Sequence, residues 1–282
     1  PFTFIATAET IPLLGAKPVF VDINKVTYNI DPNQIKHKIT PKTKAIIPVS
    51  LYGQVADMDE VNTIAKKHNL AVIEDAAQSF GATYKGKKSC NLSTIACTSF
   101  FPAKPLGCFG DGGAVFTNNN DLAEKIKSLR LHGQTKRYTH KYIGLGGRLD
   151  TLQAAILNVK LKHYNQDIKM RQNVAERYNL LLKNVLPTPE VKEYNTSVWA
   201  QYSIRVQSRD LVQEKLKKVG VPTAVHYPLP LHLQECFEYL GYTLGDFPES
   251  EKVSKEIMSL PMNPYLTFKE QEYIVNEIKK LK

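Results

Sequence analysis

The first half of the chain alternates short apolar runs with amphipathic segments, and this alternation constrains the fold more than any other feature. The apolar runs are rich in β-branched residues and predict buried strands at 17–23, 44–53, 70–76, 94–101 and 112–118. Residues 57–69 and 120–133 carry apolar side chains at helical spacing, and Gly133 is the predicted C-cap of the second helix. Strands separated by helices are typical of an α/β fold with a mainly parallel sheet.

The second half has a different pattern. Residues 150–184 predict one long helix, because this stretch contains no internal glycine or proline. Strands are predicted at 199–206 and 222–228 with a helix between them, and a capping box, Thr267 to Glu270, begins the last helix. The sequence therefore predicts a large domain over 1–149, a linking helix over 150–184 and a small α+β domain over 185–282.

Composition excludes several classes of protein. The formal net charge is +10, but the basic residues lie along helices beside acidic ones, and the chain has no zinc-finger or RNP-type motif. We therefore expect no nucleic-acid partner. No apolar run approaches the roughly 18 residues of a membrane span, and the four cysteines form no Cys-x-x-Cys pair. These features predict a cytoplasmic protein without a membrane anchor, a disulfide framework or a metal site.

One lysine, Lys104, lies in a stiff and apolar stretch, SFFPAKPLGCFGDGG at 99–113. Pro102 and Pro105 restrict the backbone around it. An apolar setting lowers the pKa of a lysine and leaves its amine nucleophilic. The neighbours that predict this setting are Phe100, Phe101, Leu106 and Phe109. Lys104 is therefore a candidate reactive lysine, and the alternative is an ordinary solvated charge.

Two carboxylates, Glu74 and Asp75, lie at the end of an apolar run in VIEDAAQSFGATYKGK, residues 72–87. The carboxyl ends of strands in open α/β sheets are where ligands bind, although Asp75 could simply cap the next helix. A carboxylate here and a reactive Lys104 match what pyridoxal phosphate requires. The lysine forms a Schiff base, and the carboxylate keeps the pyridine nitrogen protonated so that the ring accepts electrons.

These segments resemble the DegT/StrS family of pyridoxal-phosphate-dependent nucleotide-sugar aminotransferases. The resemblance covers the whole chain, since several segments recur in the order and spacing of the family: PFTFIATAE, PVSLYGQVADMDE, VIEDAAQSFGA, SFFPAKPLGCFGDGGA, GGRLDTLQAAIL and HYPLPLHLQ. The resemblance implies the fold type I aminotransferase architecture. It places a large cofactor-binding domain with a mainly parallel mixed sheet before a small C-terminal domain.

The resemblance also implies the cofactor residues. Lys104 would form the Schiff base, Asp75 would pair with the pyridinium nitrogen, and Gln78 would lie by the ring hydroxyl of pyridoxal 5′-phosphate. Ser99 would bind the phosphate, and Phe4 would lie against the face of the cofactor unless it is an ordinary core residue. Many members carry Asn at the position of Gly146, which can offer only its backbone amide to the phosphate in the partner subunit.

The same resemblance implies transamination with L-glutamate as donor in a homodimer that shares its active sites. The segment HYPLPLHLQ resembles the branch that aminates C3 of UDP-linked 2-acetamido-3-keto-hexuronates. Arg148 would bind the C6 carboxylate of such a sugar through two parallel hydrogen bonds. The alternative is an ordinary surface guanidinium that pairs with Asp150 or is solvated. His226 and Tyr227 would complete the substrate pocket.

Alternatives remain at this point. Enzymes that act on dTDP-3-keto-6-deoxyhexoses share much of the same segment, whereas the dehydratases of the fold carry His at the position of Lys104. Members of the family also have a segment before PFTF that contains a phosphate-binding turn, and we expect the printed chain to lack it. A non-catalytic fragment or pseudo-enzyme of the same fold is therefore the alternative in which the chain has no enzymatic activity.

Overall fold

The computed structural model describes residues 1–281. Its helices are α1 (Ala6–Leu13), α2 (Pro32–Ile35), α3 (Met58–Lys67), α4 (Asn120–Leu129), α5 (Thr151–Leu182), α6 (Arg209–Lys218), α7 (Pro248–Glu256) and α8 (Phe268–Lys279). Short 3-10 helices lie at Lys36–Lys38, Leu51–Gly53, Leu231–Leu233 and Glu235–Leu240. The predicted capping box of the last helix is confirmed, because Thr267 and Glu270 each accept a hydrogen bond from the other's backbone amide.

The strands are short. They are β1 (Ala45–Ile46), β2 (Ala71–Asp75), β3 (Thr83–Tyr84), β4 (Lys87–Lys88), β5 (Ile95–Ser99), β6 (Gly113–Phe116), β7 (Gln134–Lys136), β8 (Thr139–His140), β9 (Asn195–Thr196), β10 (Tyr202–Arg205) and β11 (Ile257–Leu260).

The central sheet has the strand order β1-β2-β5-β6. β1, β2 and β5 are parallel, whereas β6 is antiparallel to β5. The predicted α/β class with a mixed, mainly parallel sheet is therefore confirmed. Parallel pairing of β2 with β5 places Asp75 opposite Cys97, and the carboxyl ends of both strands lie at the same edge of the sheet.

The two faces of this sheet differ in burial. Val72, Glu74, Ala96 and Thr98 point to a buried face, since side chains alternate along a strand. The alternate residues of β2 and β5, which include Asp75 and Ser99, are only partly buried. The apolar side of α3 is buried in the same cluster as Val72, because apolar residues recur along this helix at helical spacing.

The long helix α5 contributes to a second core near its C-terminal end. Val174, Tyr178 and Leu182 pack there against β10, β11 and α8. β10 and β11 are antiparallel, and β9 pairs with β3, so the segment after α5 also contacts the first half of the chain. The division into domains at 149 and 184 stays a prediction.

Three predicted elements differ from the structure. Residues 17–23 and 222–228 are not strands and form only isolated bridges, Ile23 to Ile30 and Ala224 to Ser259. In the run 44–53, only Ala45–Ile46 is a strand, and the chain then turns. Gly133 is not the C-cap of α4, because the helix ends at Leu129 and its C-cap is Arg130, although Gly133 has a φ of 71° and its amide donates to Ser128 O. No helix among residues 1–281 has the length and apolar character needed to cross a membrane.

Candidate active site

Lys104 lies in a closed loop that follows β5. Its amide donates to Phe101 O at 2.9 Å, and the amide of Cys108 donates to Phe100 O at 2.8 Å. Gly107 approaches the backbone of the same loop so closely that an added Cβ would lie 2.6 Å from Pro102 O. The loop is therefore held by its own backbone, which explains how a lysine with a flexible stem is presented from a fixed position.

The surroundings of Lys104 are only partly as predicted. Phe100 and Leu106 are buried, but Phe101 and Phe109 are 51% and 76% exposed, so the prediction of four apolar neighbours around the lysine is wrong for these two. Burial nevertheless lowers the pKa of Lys104, and the negative charge of Asp75 opposes this shift. Within residues 1–281 the amine has no hydrogen-bond partner. It is a partly desolvated amine close to a carboxylate, as a nucleophilic lysine requires.

Asp75 ends β2 and has a donor on each carboxylate oxygen. Ala77 donates its backbone amide to Oδ1 at 3.0 Å, and Thr7 donates its hydroxyl to Oδ2 at 2.6 Å. Each oxygen therefore keeps a free lone pair for a further donor. The neighbouring Glu74 faces the buried side, where Ser89 and Cys90 bind it and burial raises its pKa. Glu74 is thus separated from the candidate site by the strand itself.

Gln78 joins the sheet edge to the second half of the chain. Its Oε1 accepts the backbone amide of Tyr52 at 2.7 Å, and its Nε2 donates to the hydroxyl of Tyr227 at 3.1 Å. The hydroxyl of Tyr52 in turn donates to the carbonyl of His226. Tyr52 has a φ of 56°, a left-handed conformation that costs energy for a residue with a side chain. These four residues form one hydrogen-bonded ring.

His226 and Tyr227 lie close to the lysine and the carboxylate. Burial lowers the pKa of His226, and the positive charge of Lys104 lowers it further. The Nδ1 atom of His226 lies 3.1 Å from Ser259 Oγ. Burial raises the pKa of Tyr227 to about 12, with a further contribution from the charge of Asp75. At neutral pH the site therefore holds a neutral imidazole and a protonated phenol.

Phe4 and Ser99 flank this group. Phe4 is 54% exposed and is not in a strand, so the alternative of an ordinary core residue is wrong for it. Its ring lies 6.1 Å from the ring of Tyr227. Ser99 ends β5 and its Oγ accepts the amide of Phe101 at 3.2 Å, which leaves the hydroxyl hydrogen free.

Within residues 1–281, Gly146 and Arg148 share no hydrogen bond or ion pair with the residues described above. Both are exposed in the loop before α5, and Gly146 bridges to Leu131. Arg148 makes no ion pair within residues 1–281, so a pair with Asp150 is absent there, whereas the exposed side chain agrees with the alternative of a solvated charge. A Cβ added to Gly146 would lie 3.3 Å from the imidazole of His132. The region around Gly146 thus leaves limited space for the Asn of other members.

Two residues of the site, Thr7 and Tyr52, were not predicted. Both lie within segments that carry the family resemblance, PFTFIATAE and PVSLYGQVADMDE, but neither has a spacing that indicates a role. Their contacts join residues far apart in sequence, Thr7 to Asp75 and Tyr52 to Gln78. Only the tertiary structure could reveal them.

The donor set fits pyridoxal phosphate. At one edge of the sheet lie an amine that has no hydrogen-bond partner among residues 1–281 and a carboxylate with free lone pairs, together with an amide, a free hydroxyl and an exposed aromatic ring. These groups match, in order, the aldehyde, the ring nitrogen, the ring hydroxyl, the phosphate and the ring face of that cofactor. Among residues 1–281, no group of acidic, histidine or cysteine side chains is arranged to bind a metal ion.

Comparison with known proteins gives consistent matches. The model of the DegT/DnrJ/EryC1/StrS aminotransferase family matches residues 1–279. The chain is 58% identical to UDP-2-acetamido-2-deoxy-3-oxo-D-glucuronate aminotransferase of Pseudomonas aeruginosa, with 94% of this chain and 73% of the relative covered. It is 42% identical to dTDP-3-amino-3,6-dideoxy-alpha-D-galactopyranose transaminase of Aneurinibacillus thermoaerophilus, with 98% of this chain and 76% of the relative covered. A DegT DnrJ EryC1 StrS aminotransferase structure from Brucella abortus superposes with a TM-score of 0.93 at 41% identity and covers 99% of this chain and 77% of its own.

Proposed function

The chain belongs to the DegT/DnrJ/EryC1/StrS aminotransferase family, whose members depend on pyridoxal phosphate, and we propose that it aminates C3 of a UDP-linked 2-acetamido-3-keto-hexuronate with L-glutamate as donor. The observation that carries the choice of sugar is the 58% identity to the Pseudomonas aeruginosa enzyme, which exceeds the 42% identity to the relative that acts on a dTDP-linked sugar. The aminotransferase reaction itself follows from membership of the family.

When bound, pyridoxal phosphate supplies an aldehyde that reacts with amines and a ring that accepts an electron pair. Lys104 would hold the cofactor covalently through Nζ, and its lowered pKa favours the neutral amine that this attachment needs. Released from that bond, the same amine would carry a proton between two carbon atoms. The closed loop around Gly107 would hold the backbone of Lys104 in place during both tasks.

The remaining cofactor residues would each meet one part of the group. Asp75 would accept the hydrogen of the ring nitrogen, and Gln78 would contact the ring hydroxyl through the edge of its amide. Ser99 has a free hydroxyl hydrogen for a phosphate oxygen, because its Oγ already accepts the amide of Phe101. The exposed ring of Phe4 would cover one face of the cofactor.

His226 and Tyr227 would contact the substrate and the amino donor. Their pKa shifts leave an uncharged imidazole and a protonated phenol at neutral pH, so both can form hydrogen bonds without adding charge. They lie near Lys104 and Asp75, and the ring of hydrogen bonds through Tyr52 and Gln78 fixes them there. A polar sugar ring suits such a pair.

A homodimer with shared active sites would account for Arg148 and Gly146. Both residues are exposed, and among residues 1–281 neither has a hydrogen bond or an ion pair with Lys104 or Asp75. In a second copy they would lie beside the partner's cofactor, where the backbone amide of Gly146 would meet the phosphate. The guanidinium of Arg148 would bind the sugar carboxylate with two parallel hydrogen bonds.

The test compares two substrates and two variants. We expect the wild-type protein to prefer the UDP-linked 3-keto-hexuronate over a dTDP-linked 3-keto-6-deoxyhexose. Arg148→Lys keeps the charge but loses the planar guanidinium that can form two parallel hydrogen bonds. The value of kcat/KM for the uronate should therefore fall by a factor that corresponds to a loss of about 1–3 kcal/mol of transition-state stabilisation, as for a charged hydrogen bond. The 6-deoxy sugar has no carboxylate and is the internal control. Equal losses on both sugars, or preference for the dTDP sugar, would contradict the proposal.

Lys104→Ala is the matching test of the catalytic assignment. This variant should fold but fail to retain pyridoxal phosphate after borohydride reduction, and it should not turn over either sugar. A Lys104→Ala protein that is still labelled by the reduced cofactor would place the attachment on another lysine.

A further inference from the structure

Thr7 makes a direct contact with the carboxylate that would meet the ring nitrogen of the cofactor. Its hydroxyl donates a short hydrogen bond to Asp75 Oδ2 at 2.6 Å. The two residues are 68 positions apart, so the contact is a product of the tertiary fold. Thr7 lies in α1, and its side chain is only partly buried.

The position of Thr7 is fixed by its helix. The amide of Thr7 donates to Phe4 O at 3.3 Å, and the next residue, Ala8, is buried in a cluster with Phe20 and Phe237. One turn of chain thus carries both the exposed ring of Phe4 and the hydroxyl of Thr7. Because Ala8 anchors this turn, the hydroxyl reaches Asp75 from a fixed side.

The two donors on Asp75 together fix its orientation. Ala77 N–H holds Oδ1 and the Thr7 hydroxyl holds Oδ2, so the carboxylate cannot rotate without breaking one of these hydrogen bonds. A donor to a carboxylate also favours its ionised form over the protonated form. When a proton is shared between a carboxylate and a ring nitrogen, such a donor therefore favours the state in which the nitrogen keeps the proton.

We propose that Thr7 is a positioning residue that acts through Asp75: it orients the carboxylate as the hydrogen-bond acceptor of the ring nitrogen of pyridoxal phosphate and thereby helps that nitrogen to keep its proton. This inference depends on the proposed role of Asp75. It assigns to the hydroxyl of Thr7 a part in keeping the ring nitrogen protonated, a role that the sequence would assign to Asp75 alone.

The experiment measures binding to the apoprotein with two probes. One is pyridoxal 5′-phosphate, and the other is its 1-deaza analogue, in which a C–H group replaces the ring nitrogen. The dissociation constant of the analogue divided by that of pyridoxal 5′-phosphate is a ratio that reports how strongly the protein recognises the nitrogen. Thr7→Val removes the hydroxyl at nearly constant volume, Thr7→Ser retains a hydroxyl, and Thr10→Val makes the same change at an exposed threonine of the same helix.

We expect Thr7→Val to reduce this ratio about tenfold, which corresponds to about 1.4 kcal/mol, while Thr7→Ser restores most of it and Thr10→Val leaves it unchanged. In the loaded protein, the resonance of a ¹⁵N-labelled ring nitrogen should move toward the unprotonated position in Thr7→Val only. Thermal unfolding of the apoproteins controls for loss of the fold.

Three results would overturn the proposal, and they differ in what they say about Asp75. If Asp75→Ala leaves the ratio at its wild-type value, Asp75 does not recognise the nitrogen and Thr7 cannot act through it. If Asp75→Ala lowers the ratio to about one and Thr7→Val does not change it, the proposed role of Asp75 stands and that of Thr7 fails. Equal weakening of both probes by Thr7→Val would show that the hydroxyl supports only the local fold.

Discussion

Replacing Gly107 by alanine should disturb the loop that carries Lys104. A Cβ at this position would lie 2.6 Å from Pro102 O and 2.7 Å from Phe101 O, whereas ordinary van der Waals contact begins at 3.4 Å. Both atoms belong to the backbone, so they cannot rotate away as the end of a side chain could. The carbonyls must retreat by most of an ångström, and the amide of Lys104 is bound to one of them.

The size of the effect follows from two opposing terms. Overpacking of a tight site costs about 1–3 kcal/mol, and the lower entropy of an unfolded chain with alanine returns about 0.4–1 kcal/mol. We expect the free energy of unfolding to fall by about 1–2 kcal/mol. The displacement of Lys104 matters more for function, because a shift of about 1 Å in a reacting group can lower the rate by roughly a hundredfold.

Urea unfolding of the apoprotein would measure the change in the free energy of unfolding, and spectrophotometric titration with pyridoxal phosphate would measure the change in cofactor affinity. Gly110→Ala is the matched control, since its Cβ would meet the flexible end of the Gln153 side chain at 3.1 Å. We expect this control to remain close to wild type in both assays. If Gly107→Ala were as stable as Gly110→Ala and bound the cofactor equally well, the loop would not depend on its close backbone packing.

Three further predictions concern individual side chains. Asp75→Asn should keep the fold but lower kcat at least tenfold, about 1.4 kcal/mol, because an amide cannot keep the ring nitrogen protonated; stopped-flow half-reactions would measure this. Mixed Lys104→Ala and Arg148→Ala chains should regain activity in heterodimers if active sites are shared, and no recovery after confirmed subunit exchange would exclude sharing. Burial and the charge of Lys104 lower the pKa of His226 below 6.5, so unfolding takes up a proton between that lowered value and 6.5. The free energy of unfolding should therefore fall as pH decreases through this window. His226→Gln should reduce this slope but not abolish it, because burial also lowers the pKa of His232.

The sheet edge could be predicted because its signals are local. β2 and β5 combine apolar residues with short length, and α3 has helical spacing, so the parallel order and the position of Asp75 at a carboxyl end follow from pattern alone. The prediction of a strand at 17–23 was wrong for a physical reason. An apolar run indicates burial but not pairing, and Phe20 is buried against Phe237 and Phe247 without a neighbouring strand.

The remainder of the site could not be predicted because its contacts join distant residues. The apolar neighbours of Lys104 illustrate this, since adjacency in sequence places Phe101 and Phe109 beside the lysine but the loop turns both toward solvent. Residues 222–228 hold two prolines, which lack the N–H of a strand, yet the segment supplies His226 and Tyr227 through tertiary contacts. Family resemblance identified such residues where periodicity had no signal.

The hydrogen-bonded ring around Gln78 fixes the direction of every donor in it. The backbone amide of Tyr52 can only donate, so the atom of Gln78 that faces it must be the acceptor Oε1. The Nε2 atom then faces Tyr227 and donates to its hydroxyl oxygen. Because that oxygen accepts, the hydrogen of Tyr227 is not used by Gln78 and remains for the site. The raised pKa of about 12 keeps Tyr227 protonated at neutral pH, so the hydrogen is present.

Gln78→Glu tests this polarity with an almost isosteric change. One carboxylate oxygen would still accept the amide of Tyr52, but the other could no longer donate, and Tyr227 would have to turn its hydrogen toward it. The site would then lose the hydrogen-bond donor of Tyr227, although both side chains stay in place. We expect kcat to fall at least as far as in Tyr227→Phe, and the double variant should lose little more than Gln78→Glu alone, because the two changes remove the same donor. Additive losses, measured as kcat in a double-mutant cycle, would show that Gln78 does not act by directing the hydrogen of Tyr227.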